Sequence, residues 1–332
     1  MLFLSEEDVM SLGLTMKDVI DILEDEFRAI NAGDFEIIHY HGDRPKNPMG
    51  FSMWGYFGPA KMGGQKYITS AGPPHHKIGI QTQQHLLICV DEETVMPVAA
   101  MRWLWMTGMR TGGMTGLGAK YLARTDIDNV VCIIGTGFQG GFHIRALNET
   151  VNIQEVRVYD IIPAAAETTA QGISQKLGLT VKTVKSVEAG VTGADIIVGA
   201  SGAKDPMVKQ EWTAAASYLC TFASAQHFED KLALSADKKC VDERGNYDYY
   251  RSQDIGSLLK RGLMTPDDIY ADMGELVTNK KNGRESPDEL NLFNHAGMAT
   301  HDFAIAHVIL QKAKQQGLGT WCRSKRAAYS WE

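Results

Sequence analysis

No stretch of this 332-residue chain approaches the ~20 consecutive apolar residues that a membrane-spanning helix needs. A basic excess is also missing: 33 Lys and Arg face 40 Asp and Glu, a net charge of −7. Without a basic surface, neither nucleic acid nor an anionic membrane is an expected partner. The opening residues, Met1-Leu-Phe-Leu-Ser-Glu-Glu-Asp8, turn acidic at once, so a secretory signal is not expected. Cysteines are few and scattered, at 89, 132, 220, 240 and 322, with no C-x-x-C pair. That spacing excludes a disulfide frame and a zinc site, and predicts reduced, buried thiols in a cytoplasmic protein. The adjacent His75 and His76 sit in a Pro-rich loop. Adjacent side chains diverge and no second ligand pair follows, so no metal is expected. Low-complexity tracts and internal repeats are absent too. What remains is an ordinary globular composition, 44% hydrophobic and 22% charged, in a chain long enough for two domains.

The stretch Val130-Val-Cys-Ile-Ile-Gly-Thr-Gly-Phe-Gln-Gly140 organises the rest. Apolar and β-branched residues predict a strand that runs into a G-x-G-x-x-G turn, and Gly141–Leu147 reads as a helix start. Gly135 suits the tight turn, Gly137 a close approach of backbone to pyrophosphate, and Gly140 close helix–strand packing. Thr136, Phe138 and Gln139 fill the turn between them, and the helix N-terminus offers N–H groups to phosphates. A second predicted strand, Glu155–Asp160, ends in an acid 20 residues beyond Gly140. There a carboxylate accepts hydrogen bonds from ribose hydroxyls and repels a 2′-phosphate, which predicts NAD, with NADP possible if an arginine lies nearby.

Before this unit, Thr15 caps a predicted helix over 16–30, whose Met16, Ile20, Leu23, Phe27 and Ile30 share a face and which stops at Gly33. Its Asp18, Asp21, Glu24 and Asp25 read as a solvated face. From 35 to 100, short apolar runs alternate with turns and predict a curved antiparallel sheet. Residues 106–123 combine a helical face with five glycines, at 108, 112, 113, 116 and 118. Each costs a helix about 1 kcal/mol relative to alanine, so they predict either a broken helix or a groove closely approached by backbone, substrate or cofactor. After Asp160, predicted strands at 179–183, 195–200, 218–222 and 239–242 alternate with helices, and a long apolar-faced helix covers 300–313. The fold class is therefore α/β: a doubly wound, mostly parallel Rossmann-type sheet with a second α+β domain. Ligands sit at C-terminal strand ends, which predicts one crevice lined by Gly135–Gly140, Asp160, Ala200, Ser201, Gly202 and residues 223–227.

The order of motifs resembles the ornithine cyclodeaminase/μ-crystallin family over nearly the whole chain. The matching residues are Gly64-Gln-Lys-Tyr67, Met109-Arg-Thr111, Ala119–Arg124, Ile134–Gln139, Val158-Tyr-Asp160, Ala194–Ile197, Gly283–Glu289 and Gly297-Met-Ala-Thr-His-Asp302. The resemblance implies a substrate-binding and dimerisation domain over 1–118 with 303–332, a dinucleotide domain over 119–302, and a homodimer. It implies chemistry at the carbon–nitrogen bond of an amino or imino acid. It also makes Lys66, Arg110 and Arg44 ligands of a substrate carboxylate, with Thr111 and Gly297 beside the cofactor. A guanidinium fork suits a carboxylate and an ammonium adds a point charge. Two acids of the cyclodeaminases are missing: the segment corresponding to one reads Phe51-Ser-Met-Trp54, and the turn that carries the other reads Ala223-Ser-Ala-Gln-His227. Ser224 resembles the ketimine-reductase branch, and Trp54 suggests an apolar substrate side chain. The leading expectation is an NAD(P)-dependent imine or ketimine reductase, or an amino-acid dehydrogenase in reverse. Lys66, Ser224 (through a water) or His227 would supply a proton. The alternatives are a redox-neutral cyclodeaminase and a non-catalytic, crystallin-like binding protein.

Overall fold

The structure is a computed structural model that describes residues 1–33, 39–41, 50–70, 83–203, 205–222, 225–245 and 254–322. The chain forms two compact units. One comprises Met1–Leu14, Asp34–Thr107 and Met298–Glu332, the other Thr15–Gly33 and Gly108–Gly297. Compared with the boundaries expected at 118/119 and 302/303, the second unit gains Thr15–Gly33 and Gly108–Gly118 and cedes Met298–Asp302 to the first.

The first unit holds β1 (Leu2–Leu4), β2 (His39–His41), β3 (Phe51–Phe57), β4 (Met62–Ser70), β5 (Gln83–Asp91) and β6 (Pro97–Arg102), with β15 (Thr320–Trp321) from the chain's far end. Their order is β15-β1-β6-β5-β4-β3-β2. Strands β2 to β6 pair antiparallel, as alternation in the sequence predicted, while the short β1 joins β6 in parallel. One face is buried: Met53, Lys66, Leu87, Cys89, Ala99 and Met101. The other face keeps Trp54 47% and Tyr67 37% exposed. Helix α1 (Glu6–Ser11) follows β1, and α10 (Ala299–Gln316) packs along β3 and β4. Glycine at 55 permits that approach, since a Cβ there would lie 2.6 Å from the Cβ of Ala299.

The second unit is an eight-stranded parallel sheet of β7 (Asp128–Ile134), β8 (Asn152–Tyr159), β9 (Val181–Thr183), β10 (Ile196–Gly199), β11 (Tyr218–Phe222), β12 (Lys238–Val241), β13 (Ala271–Asp272) and β14 (Asn291–His295), in the order β13-β12-β14-β11-β10-β7-β8-β9. The strand order reverses between β7 and β10, which puts a crevice at their C-terminal ends. Its helices are α2 (Met16–Ala32), α4 (Gly140–Asn148), α5 (Pro163–Leu177), α6 (Val187–Val191), α7 (Asp230–Ser235), α8 (Asp254–Lys260) and α9 (Met273–Val277), while α3 (Leu104–Leu122) begins in the first unit. One side of the sheet is packed with Ile134, Ile197, Leu219, Phe228, Leu232, Ile255 and Leu292.

The glycine-rich segment answers to the second of its two expected readings, and two other features depart from expectation. The glycine-rich segment is one unbroken helix, and its groove is filled by protein backbone: a Cβ on Gly112 would lie 2.5 Å from the Phe142 carbonyl oxygen, and one on Gly116 would lie 2.8 Å from that of Ala146. Glycine here lets α3 and α4 pack backbone against backbone. The acidic face of α2 is not wholly solvated, because Glu24 is 6% exposed and accepts hydrogen bonds from Lys120, Tyr121 and Arg28. That cluster joins α2 to the second unit. Finally, β14 sits mid-sheet although Asn291, Asn294 and His295 interrupt its apolar run. Each finds a buried partner: the Asn291 amide donates to the Leu122 carbonyl, Asn294 donates to Thr221 and accepts from the Ile255 N–H, and His295 bonds to the Thr115 hydroxyl. Buried polar groups that are paired in this way do not oppose a central strand.

Candidate active site

The crevice between β7 and β10 is built from the glycine turn upward. Gly135 adopts φ +102°, and a Cβ there would lie 2.5 Å from the Ala200 carbonyl oxygen, so the turn needs glycine twice over. A Cβ on Gly140 would meet the Gly135 carbonyl oxygen at 2.6 Å, whereas one on Gly137 would have nothing within 4 Å. Position 137 is therefore open to a ligand while 135 and 140 are closed by the fold. Gln139 precedes α4 without a side-chain cap, and the Gly140 and Phe142 N–H groups bond to the Gly137 and Gln139 carbonyls at 3.2 and 2.9 Å. Phe138 is 40% exposed beside them and stacks at a tilt on Phe142.

Asp160 lies at the end of β8, as expected. Its Oδ2 accepts from the Thr136 N–H at 2.7 Å and the Thr136 hydroxyl at 3.0 Å, and its Oδ1 accepts from the Ile162 N–H at 2.9 Å. These bonds fix the carboxylate at the rim of a pocket of about 350 Å³ lined by Gly135, Tyr159, Asp160, Ile161, Ser201, Gly202 and their neighbours. None of the described lining residues is a cation. The pocket's apolar and hydroxyl lining, open glycine and rim carboxylate fit the adenosine half of a dinucleotide.

His227 lies fully buried behind Ser201. Its Nε2 accepts from the Ser201 N–H at 3.2 Å and lies 3.0 Å from the Ser201 hydroxyl. Gly199 leaves room for the ring, because a Cβ there would fall inside it. Burial lowers the imidazole to about 4. The ring is neutral near pH 7 and accepts at Nε2, an arrangement that holds the Ser201 loop instead of offering a proton there. Asp254, at the start of α8, accepts from the backbone N–H groups of His227 and Phe228 at 3.0 and 2.7 Å. Burial pushes this carboxyl up to about 7, against those bonds.

Arg110 and Thr111, both 5% exposed, project from α3 within the second unit. Gly297 has φ +79°, and a Cβ there would run into the Arg110 guanidinium. Asp242 anchors this glycine by accepting from the Ala296 and Gly297 N–H groups at 2.9 and 2.7 Å. Thus Arg110 and Gly297 are neighbours, and the glycine leaves space for the arginine.

In the first unit, Lys66 is fully buried on β4. Its Nζ donates to Asp302 Oδ1 on α10 at 2.8 Å, and the Trp103 indole N–H donates to the same oxygen at 2.6 Å. Met53 lies directly across from Lys66 on the same face. Trp54 points to the opposite face, so within one chain the sheet separates it from Lys66. Arg44 and Ser224, like His75 and His76, lie outside the described residues. Among the described residues no group of three or more His, Cys, Asp or Glu is arranged to hold a metal ion.

Residues 1–317 match the ornithine cyclodeaminase/mu-crystallin family. The chain belongs to that family. The alanine dehydrogenase of Archaeoglobus fulgidus is 27% identical over 331 residues, spanning 96% of this chain and 97% of that one. The structure of Thermococcus litoralis Delta(1)-pyrroline-2-carboxylate reductase in complex with NADH and L-proline superposes with a TM-score of 0.88 at 30% identity, covering 97% of this chain and 100% of that one. An archaeal alanine dehydrogenase, solved as a dimer with bound NAD, gives a TM-score of 0.86 at 27% identity, covering 96% and 98%. These relatives are NAD(H)-linked enzymes of imino or amino acids.

Two family segments have structural roles. Arg284, in Gly283–Glu289, donates to the carbonyls of Leu122, Ser286 and Glu289 at 2.7–3.2 Å and ties this loop to α3. Asp302, in the segment from Gly297, was given no role from sequence. Its signal was present: an acid followed at once by the apolar run Phe303-Ala-Ile-Ala306 of the same helix. Asp242 and Asp254 gave no such signal, because their partners are backbone groups distant in sequence.

Proposed function

We propose that this protein is an NAD-dependent oxidoreductase of the carbon–nitrogen bond, reducing an imine derived from a 2-oxo acid or running the reverse dehydrogenation. One observation carries the reading: a crevice fitted to a dinucleotide, with a carboxylate at its rim, in a chain whose relatives act on imino and amino acids. Asp160, with no cation among the described residues that line its pocket, favours NAD over NADP. The bound dinucleotide supplies and accepts hydride. In this reading Lys66 and Arg110 take the substrate carboxylate, joined by Arg44, and Lys66 is the acid for the imine nitrogen. Its ammonium has three N–H donors, so it can serve a carboxylate and a nitrogen together. His227, neutral and engaged with Ser201, is assigned to holding the cofactor loop.

Met53 beside Lys66 supports a substrate whose side chain is uncharged. A second ammonium placed there would be buried without a carboxylate of its own among the described residues, a cost of several kcal/mol. That argues against a diamine substrate such as ornithine. The unit of Met1–Leu14, Asp34–Thr107 and Met298–Glu332 is the proposed substrate and dimerisation part, and that of Thr15–Gly33 and Gly108–Gly297 the cofactor part. The outer sheet face, with Trp54 and Tyr67 exposed and Tyr56, Ile88 and Val90 half-buried, is the surface we assign to a second copy of the chain. Buried free thiols at Cys89, Cys132, Cys220 and Cys240 suit a reducing cytoplasm. Among the described residues no helix is long and apolar enough to cross a membrane.

The test is NADH consumption at 340 nm with cyclic imino acids and with 2-oxo acids plus ammonia or methylamine. Net NADH loss is expected, with NADPH at least ~10-fold poorer in kcat/KM, since one charge clash at the ribose is worth ~1.4 kcal/mol or more. Ammonia release from ornithine without net NADH change would sink the reading.

A further inference from the structure

The buried triad in the first unit has a consequence for how Lys66 works, and it rests on the reading that Lys66 touches substrate. We propose that Asp302 is a positioning residue that keeps the Lys66 ammonium charged and aimed. Lys66 can then give a proton to the imine nitrogen as hydride reaches the imine carbon.

The geometry supports this assignment. A buried lysine with no counter-charge loses its proton readily, because the low dielectric penalises the charged form. Lys66 and Asp302 are both fully buried and 2.8 Å apart. The Trp103 N–H, on the same carboxylate oxygen, fixes the carboxylate from a third element at 2.6 Å. Asp302 therefore takes one of the three ammonium N–H bonds and sets the direction of the other two. The step balances: the C=N π pair moves onto nitrogen, hydride from the reduced dinucleotide forms the new C–H bond, and nitrogen takes one Lys66 proton. Lys66 is left as a neutral amine, and a solvent proton recharges it.

Among the described residues the titratable neighbours do not compete for this role. Cys89 of β5 is pushed up to about 12, first by burial and then by the Asp302 charge, so it is neutral. His85 of β5 binds the Thr107 hydroxyl through Nδ1. His301 precedes Asp302 on α10, and Glu6 of α1 accepts from the Trp105 N–H. From β3 and β4 the inward residues are Met53, Gly55, Gly64 and Ile68, none of which titrates.

The experiment compares wild type, Lys66→Met, Asp302→Asn and Asp302→Glu across pH 6–10. Two readouts are used: kcat/KM for imine reduction, and the affinity of L-proline for the NADH-bound enzyme, a complex that cannot turn over. Asp302→Asn should move the alkaline limb of both profiles down by about 1–3 pH units, the usual effect of one adjacent opposite charge. Asp302→Glu should restore most of the wild-type profile. An Asp302→Asn profile lowered equally at every pH, with its limb unmoved, would overturn the inference and leave Asp302 a fold-stabilising residue. Loss of turnover in Lys66→Met separates the two readings. If that variant keeps full activity, the proposed function of Lys66 fails; if it is dead while the Asp302→Asn limb is unmoved, only the role of Asp302 fails. Should Asp302→Asn not fold, NMR titration of carbon-13-labelled lysine in wild type reads the same quantity. Lys66 should stay charged through pH 10, and titration below pH 8 would overturn the proposal.

Discussion

Gly137 and Gly112 lie 25 positions apart, and alanine at each should fail in opposite ways. At Gly137 an added Cβ would have nothing within 4 Å, and the backbone φ is not positive. The fold itself should therefore tolerate Gly137→Ala. The open space is where the pyrophosphate of a dinucleotide would approach, so the cost should appear only on binding. A methyl in that path costs on the order of 1–3 kcal/mol, as overpacking does elsewhere. Taking about 2.7 kcal/mol, the NADH Kd rises roughly a hundredfold. At a ligand concentration of ~100 times the wild-type Kd, NADH stabilises the wild type by about 2.7 kcal/mol and the variant by about 0.4 kcal/mol. Gly112→Ala reverses the pattern. Its Cβ would lie 2.5 Å from a backbone oxygen of α4 and must move nearly 1 Å to reach ordinary contact at 3.4 Å. The overpacking cost of about 1–3 kcal/mol is offset only by about 1 kcal/mol of helix propensity. The apo protein should melt several degrees lower. Thermal melts with and without NADH, together with a fluorescence titration of NADH, separate the two. Wild-type NADH affinity in Gly137→Ala would refute the placement of the pyrophosphate.

Burial lowers His143 to about 3 from an ordinary 6.5, so its stabilising contribution is present above pH 6.5 and is lost as pH falls toward 3. In His143→Gln, denaturant melts should lose up to ~1.4 kcal/mol per pH unit of slope between pH 6.5 and 4, and an unchanged slope would count against a buried neutral imidazole. For the outer sheet face, Trp54→Glu should convert a dimer to monomer in light scattering while NADH binding persists. A dimer that survives at micromolar concentration would move the interface elsewhere.

The dinucleotide half was legible because its signals are local. The β7 strand, the glycine turn and Asp160 fall within 33 residues, and Gly135 and Gly140 answer to atoms nearby in the fold. Alternation likewise exposed the sheet from β3 to β6. What stayed hidden depended on partners far along the chain. The polar residues of β14 look unfit for a central strand until Thr115, Thr221 and Leu122 are seen to satisfy them. The acidic face of α2 looks solvated until Lys120 and Tyr121 meet Glu24. Trp54 and Lys66 looked like companions in one pocket, yet their places in adjacent paired strands send them to opposite faces. Cross-strand register decides that, and the composition of either strand alone does not.

The same dependence on distance bears on which chemistry the chain performs. A cyclodeaminase needs acids to handle a second substrate amine, and the sequence shows two such acids missing. Absence alone is a weak argument, because another carboxylate brought from elsewhere in the chain could replace them. Asp302 is such a carboxylate, reaching the lysine across 236 positions. It is already committed, however: one oxygen receives both the Lys66 ammonium and the Trp103 indole. For Asp302 to take a substrate ammonium it would have to share charge with Lys66, placing two cations against one anion in a buried site. Breaking a buried pair in this way costs about 3–5 kcal/mol. The carboxylate that could have rescued a diamine substrate instead maintains the lysine's charge, and that balance favours reduction of an imine with an uncharged side chain.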